Sequence, residues 1–286
     1  MIAVQPDMPG KISVLLPTFN NAEIIRATLE SIRWADEILV VDSFSTDATL
    51  DICREYGARV IQHEYIQSSK QKNWAIPQCA HEWVLQIDTD EVLEVGAKEE
   101  ILKRIAEAEP NVDAFTLPRK NHVLGKWIST ANLYPDLQTR VFRRDVGRFE
   151  DKEVHAHVTV PGKIEVLEHN VLHYGMTSIS KQLRNIDRYS RYQADQLRKR
   201  GKQFRWSQVV LRPPAVFAYY YFWKRGFTSG YRGLLVASLN ATYDFWAHAK
   251  LWELEASGLT NVSGDAKAIL NDAPATLAGE QRSRFD

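Results

Sequence analysis

The sequence predicts an open α/β fold: a mainly parallel sheet flanked by helices, followed by a helical appendage. Three observations point there. Between Ile12 and Ile87, short apolar runs alternate with amphipathic helical patterns. The apolar runs close in polar residues, Thr18 and Asn20 first, then Asp42 and Ser43, then Asp88 and Asp90. After Pro110 the alternation gives way to scattered strand-like stretches and then to long helical ones.

Residues 12–16 are short, aliphatic and β-branched, closed by Pro17, as expected of a strand buried on both faces. Ile24, Ile25, Leu29 and Ile32 then recur at helical spacing. A second strand, 37–41, ends at Asp42. Thr46 is placed to cap a helix over 47–56, which Gly57 stops. A third strand covers 59–61. A helix is expected from Ser68 until Pro77, and a fourth strand, 82–87, runs into Asp88-Thr89-Asp90-Glu91. The next helix is expected from about Ala97.

Beyond Pro110, residues 115–117 and 139–142 read as strands, with Gly125-Lys126-Trp127 in a loop between them. Residues 155–160 and 165–167 read as a hairpin around Pro161-Gly162. A long helix is expected from Ser178, broken by Arg212-Pro213-Pro214. A last aromatic helical segment is expected over 216–251, and a small, polar tail follows.

The composition is that of an ordinary globular protein, with 44% hydrophobic and 25% charged residues. Lys+Arg and Asp+Glu both number 36, so bulk charge gives no general attraction to nucleic acid, and no nucleic-acid partner is expected. Cys53 and Cys79 lack metal-ligand spacing, so a reducing compartment is expected rather than a disulfide framework. Residues 1–10 carry no secretory pattern, and no apolar stretch is long enough for a confident membrane span.

Ligands of open α/β sheets bind beyond the carboxyl ends of the strands. The polar strand ends are therefore candidate site residues. Asp88 and Asp90, one residue apart, suit a hard divalent cation, which takes one or two protein carboxylates together with substrate phosphates. A solvated turn ahead of the next helix is the bland alternative. Asp42 suits hydrogen bonds from a nucleotide base or ribose. Asp47, in a first helical turn, suits a structural role.

These residues resemble the family 2 glycosyltransferases. Ser13-Val14-Leu15-Leu16-Pro17-Thr18-Phe19-Asn20, Val40-Val41-Asp42-Ser43 with Asp47-Ala48-Thr49, Gln71-Lys72-Asn73, and Asp88-Thr89-Asp90-Glu91 occur in the family's order. Further along, Arg148-Phe149-Glu150-Asp151 with Val154-His155, Leu172-His173-Tyr174 and Lys224-Arg225-Gly226-Phe227 are similar to the lipopolysaccharide core glucosyltransferase group. Ala156 departs from the glutamate of that group.

The resemblance implies a GT-A fold, a UDP-sugar donor with glucose as the expected hexose, Mn²⁺ or Mg²⁺, inversion at the anomeric carbon and a lipid-linked saccharide acceptor. It implies that Pro17 and Thr18 lie against the nucleotide and that Asp42 binds the base. Lys72 is expected at the base or diphosphate, and Asn73 is expected to shape its loop. Asp88 is expected at ribose or metal, and Asp90 at the metal. It adds an imidazole to the metal, His155 in preference to His173. It puts the general base among the carboxylates of the acceptor half, with Asp151 chosen over Glu150 and Glu153.

The expected organisation is a nucleotide-sugar half over 11–110, an acceptor half over 111–175, a helical region over 176–255 and a tail over 256–286. Basic residues from Arg184 to Arg205, followed by a run of Trp, Tyr and Phe, suit an anionic membrane surface. A cytoplasmic protein, peripheral on the inner face of the cytoplasmic membrane, is therefore expected; a solvated helix face with a packed core is the plainer alternative. Three competing functions fit the residues less well. A sugar nucleotidyltransferase wants a Gly-rich, Arg-containing loop where Pro17-Thr18-Phe19-Asn20-Asn21 stands. A non-catalytic sugar-nucleotide or membrane-glycan binding module has no need of Asp88, Asp90 and Asp151 together. A dinucleotide dehydrogenase is disfavoured, because no Gly-x-Gly-x-x-Gly follows the first strand.

Overall fold

The computed structural model describes residues 10–152 and 156–257. Contacts divide the chain into two compact units. One comprises Met1–Arg184 with Phe217–Leu239, and the other Asn185–Val216 with Asn240–Asp286. The first holds the sheet.

Strand β1 (Ile12–Thr18) lies between β2 (Glu37–Asp42) and β4 (Trp83–Gln86), parallel to both. Both its faces are covered, which is why it reads as one apolar run. Helix α1 (Ile25–Ile32) buries Ile25, Thr28, Leu29 and Ile32, the stripe its spacing predicts. Helix α2 (Thr49–Glu55) begins later than expected. Thr46 does not cap it. Asp47 accepts the Thr49 amide at 3.0 Å and forms the turn, while the Thr46 amide donates to Asn20. Gly57, at φ 71°, ends α2, its amide donating to the Arg54 carbonyl. β3 (Arg59–Gln62) pairs with β2. Helix α3 (Ser68–Ala75) passes into a 3₁₀ turn at Pro77.

The chain continues with β5 (Glu91–Leu93), α4 (Ala97–Ala106), β6 (Val112–Val123), β7 (Lys126–Trp127) and β8 (Asp136–Arg143). It continues through β9 (Arg148–Phe149), β10 (Val158–Thr159), β11 (Lys163–Val166) and β12 (Val171–Met176). The sheet order is β3-β2-β1-β4-β8-β6-β12-β5, with β7 and β11 paired to β6. Its first four strands are parallel, and β8 joins antiparallel to β4 and β6. The predicted open α/β class is what the chain adopts.

Four further local expectations are corrected. Lys126 and Trp127 form a strand, because Leu124 and Gly125 both take positive φ (47° and 78°) and turn the chain back on β6. No hairpin forms around Pro161-Gly162: β10 pairs with β9, and β11 runs parallel to β6. Gly162 instead donates to Asp113 at 2.7 Å, in a gap where a Cβ would meet the Asn111 carbonyl at 2.6 Å. Helix α5 (Ile179–Lys199) ends well before Arg212, and Arg212-Pro213-Pro214 opens α7 (Arg212–Ala218) after the short α6 (Trp206–Val210). Proline is at home in a first helical turn, whose amides have no intrahelical partner. Finally, the aromatic segment is not one helix. A π turn (Tyr219–Trp223) and a 3₁₀ turn (Gly226–Ser229) precede α8 (Gly230–Ser257), with Arg225 and Gly230 at positive φ.

Candidate active site

The carboxyl ends of β1, β2 and β4 converge. The loops after β1 and β2 are laced together. The Asn20 amide donates to Ser45 Oγ at 2.8 Å, the Asn21 amide to Thr49 Oγ1 at 2.8 Å, and the Ala22 amide to Asp47 at 3.2 Å. Thr18 is buried, its hydroxyl 3.2 Å from Asn21 Oδ1, and Pro17 beside it is half-buried. Asp42 is 0% exposed. Its carboxylate accepts from the amide and hydroxyl of Ser45 and from Gln62 Nε2 at 3.0 Å. In this geometry Asp42 braces the turn after β2.

The acid turn follows β4. Glu91 is the residue under it, 0% exposed. One of its oxygens accepts the Asp88 amide at 3.1 Å; the other receives Arg140, and Arg119 at 3.3 Å. From the opposite side, the Thr28 hydroxyl on α1 donates to the carbonyls of Thr89 (2.9 Å) and Glu91 (2.7 Å). Asp88 receives Lys72 Nζ at 3.0 Å and Gln86 Nε2 at 2.9 Å, with Arg140 at 3.4 Å. Burial opposes ionisation of Asp88, but Lys72 and Arg140 outweigh it and hold the carboxyl well below the usual carboxylate range. Asp88 is thus an ionised group already matched by two cations.

Asp90 is matched differently. Its Oδ2 lies 3.7 Å from His173 Nε2 on β12. Burial opposes its ionisation, and the hydrogen bond and charge of a protonated His173 more than compensate, lowering its pKa. The His173 tautomer follows from Asn121. The Asn121 amide nitrogen donates to the Leu133 carbonyl (2.9 Å) and to Asp136 (3.0 Å), both pure acceptors, so Oδ1 is the atom 2.7 Å from His173 Nδ1. His173 Nδ1–H therefore donates to Asn121 in either charge state of the ring, and Nε2 faces Asp90, carrying a proton toward it in the imidazolium and a lone pair in the neutral ring. Gly175 leaves space there: a Cβ on it would collide with His173 Nε2 and stand 3.4 Å from Asp90 Oδ2. One carboxylate oxygen and one oriented imidazole beside a bare glycine fit a divalent cation that completes its shell from substrate phosphates and water. Among the described residues, no group of three or more His, Cys, Asp or Glu forms a closed metal cage.

A cavity of about 230 Å³ opens between α3, β8, β9 and β10, lined by Lys72, Asp88, Arg119, Arg140, Phe149 and Lys152 among others. Asn73 joins its walls through reciprocal 2.8 Å hydrogen bonds to the Phe149 backbone. Asp151 sits on the adjoining loop, exposed, with Gln67 Nε2 at 3.3 Å from Oδ1. Glu150 is tied to Lys152 at 2.8 Å. Glu153 and His155 lie outside the described residues.

Sequence reasoning missed Arg119, Arg140 and Asp136. Arg119 and Asp136 are paired at 2.7 Å. Arg140 offered a signal: a cation flanked by the strand residues Thr139, Val141 and Phe142 needs a buried acid, and Glu91 is that acid.

An acid turn at the carboxyl end of the parallel strands, with the mixed strands β8, β6, β12 and β5 continuing the same sheet, suits a nucleotide-dependent transferase. The chain belongs to glycosyl transferase family 2, whose family model matches residues 13–160. It is a glycosyltransferase with a GT-A fold. A lipopolysaccharide core biosynthesis glycosyltransferase, LpsC of Rhizobium meliloti (strain 1021), is 26% identical over 258 residues, covering 88% of this chain and 94% of that one. A glycosyltransferase of Rickettsia felis is 30% identical over 258 residues, covering 85% and 90%. Among solved structures, the mannosyltransferase PcManGT of Pyrobaculum calidifontis, in complex with GDP-Man and Mn²⁺, shares the fold at a TM-score of 0.51 and 16% identity, over 87% of this chain and 90% of that one.

Proposed function

We propose that the protein transfers a hexosyl group, glucose in the first instance, from a UDP-sugar to a hydroxyl of a lipid-linked glycan such as a lipopolysaccharide core, inverting the anomeric centre. The acceptor is met at the inner face of the cytoplasmic membrane. The observation that carries this reading is the Asp90–His173 pair, oriented through Asn121 and set beside the Lys72–Asp88 pair. The name of the Rhizobium relative supports the acceptor class.

Asp90 and His173 would hold Mn²⁺ or Mg²⁺, with Asp88 adjoining and His155 a further candidate outside the described residues. When bound, the ion supplies Lewis-acid stabilisation of charge on the leaving diphosphate. The chain's own residues do the rest. Lys72 and Arg140 keep Asp88 ionised and fix it for the ribose. Thr18 and Pro17 floor the nucleotide site, and Asn73 holds α3 against β9. The acceptor oxygen forms a bond to the anomeric carbon as the bond to the diphosphate oxygen breaks, and Asp151 takes the hydroxyl proton. The test is UDP release from a panel of UDP-sugars with Mn²⁺, comparing wild type with Asp90→Ala. Metal-dependent turnover of one donor, lowered about 10³-fold or more by the substitution, is the expected result. Turnover that Asp90→Ala leaves intact overturns the assignment of Asp90. Failure with UDP-, GDP-, dTDP- and CMP-sugars and lipid acceptors alike overturns the catalytic reading.

A further inference from the structure

The stretch between Asp195 and Asp244 contains no acidic residue and nine Lys or Arg. Within it, the π turn and the 3₁₀ turn make a blunt hairpin in the sheet-bearing unit. Tyr219, Phe222 (61%), Trp223 (76%) and Phe227 are exposed on it, and Tyr231 (70%) is exposed beside it in the first turn of α8. So many large aromatic rings on one short segment are an exposed apolar patch that calls for a partner.

The hairpin is held firmly despite that exposure. Gly226 and Gly233 are both buried, and a Cβ on Gly226 would stand 2.8 Å from the Tyr220 carbonyl, while one on Gly233 would overlap the Gly226 carbonyl. Its base is fixed to the loop after β6. The Ala131 amide donates to the Lys224 carbonyl at 2.8 Å, Thr130 and Ser229 share a 2.6 Å hydroxyl contact, and Arg232 donates to the carbonyls of Val123 (3.0 Å) and Leu124 (3.2 Å). β6 carries Asn121 and the following loop runs on to Asp136, the two residues that orient His173. The aromatic rings are therefore displayed by a rigid mount, not by a floppy segment.

We propose that this hairpin is an interfacial anchor for an anionic lipid bilayer, with Phe222 and Trp223 entering the headgroup region while Lys224 and Arg225 meet lipid phosphates. Trp and Tyr favour the membrane–water interface, and Lys and Arg beside them gain from an anionic leaflet. Among the described residues no helix is long and apolar enough to cross a membrane, so binding is peripheral. The rival occupant is a second copy of the chain. Packing the patch on itself sets Lys224 and Arg225 against their own copies, with no acid in the patch to offset them. The bilayer supplies the missing negative charge.

The anchor is independent of the transfer chemistry, and its test reads binding alone. The full chain is floated with vesicles of phosphatidylcholine and with vesicles carrying about 30% phosphatidylglycerol, in low salt and at about 0.5 M salt. Binding is expected to the anionic vesicles only, weakened by salt. Phe222→Ser with Trp223→Ser should weaken it at least ~30-fold, and Lys224→Glu with Arg225→Glu ~10-fold or more. Unchanged circular dichroism and donor turnover with a soluble acceptor establish that the variants are folded. Equal binding by wild type and both variants, no binding to anionic vesicles, or a dimer that dissociates in the Phe222/Trp223 variant would each overturn the proposal. Retention on single-stranded nucleic acid without vesicle binding would overturn it too.

Discussion

Two acidic stretches, 88–91 and 150–151, carry the proposed chemistry, and they are built in opposite ways. In the first, Glu91 is fully buried, Asp88 is matched by Lys72 and Arg140, and Asp90 is matched by an oriented imidazole. In the second, Asp151 is exposed and its carboxylate receives Gln67 from the start of α3. The difference suits the proposed division of work. Charge that develops on a leaving group is best met by dipoles and ions fixed in advance. A base that takes a proton from an incoming hydroxyl must stay open to the acceptor.

The comparison breaks most visibly at Arg140. Arg140→Met strands Glu91 as a buried, less compensated charge and should cost about 3–5 kcal/mol of folding stability, read by denaturant unfolding. A loss under about 1 kcal/mol, the range of an exposed ion pair, would mean the buried network is not what holds the turn. At the open stretch, Asp151→Asn should lower kcat about 10²-fold or more with little change in stability. If Glu150→Gln does this and Asp151→Asn does not, the base is the neighbour that Lys152 now restrains.

Asn121→Ala sharpens the first stretch, because it frees the ring orientation of His173 without touching Asp90. The apparent affinity for Mn²⁺ should fall about 10–100-fold, seen by titration calorimetry in the presence of UDP. The smallest effect comes from an acid held in a similar way but at the opposite end of β2. Glu37 is opposed by burial, yet the Ala80 amide, Ser13 and Arg59 lower its pKa. A depressed carboxyl stabilises above its unfolded value of about 4.3 and loses that contribution as pH falls through its folded value. Glu37→Gln should therefore cost about 1–2 kcal/mol at neutral pH, with the two stability curves converging below about pH 4, and should leave turnover unchanged.

These outcomes also mark what was legible. β1, β2 and β4 were readable because strands covered on both faces need unbroken apolar runs, and the acid turn was readable because it ends one of them. The Glu91–Arg140 pair was not, since it depends on β8 lying beside β4 in a register that local patterning does not encode. His173 reaches Asp90 only because β12 runs between β6 and β5, joining residues far apart in the chain. Arg212-Pro213-Pro214 suggests a stop in the sequence and is a start in the structure, because proline suits either boundary. The break in the aromatic segment rests on the close approach of Gly226 and Gly233, and two glycines seven residues apart announce no such contact.

Thr28 has a consequence for anyone recombining such enzymes. Its hydroxyl grips the carbonyls on both sides of Asp90 from a helix formed much earlier in the chain. The acid turn is therefore not a portable cassette. A chimera that imports residues 88–91 into another scaffold, or swaps α1 while keeping the turn, inherits a mismatched clasp unless position 28 keeps a hydroxyl. The compatible crossover points lie outside the span from α1 to β5, and a library that respects that block should yield more active members than one cut between the two.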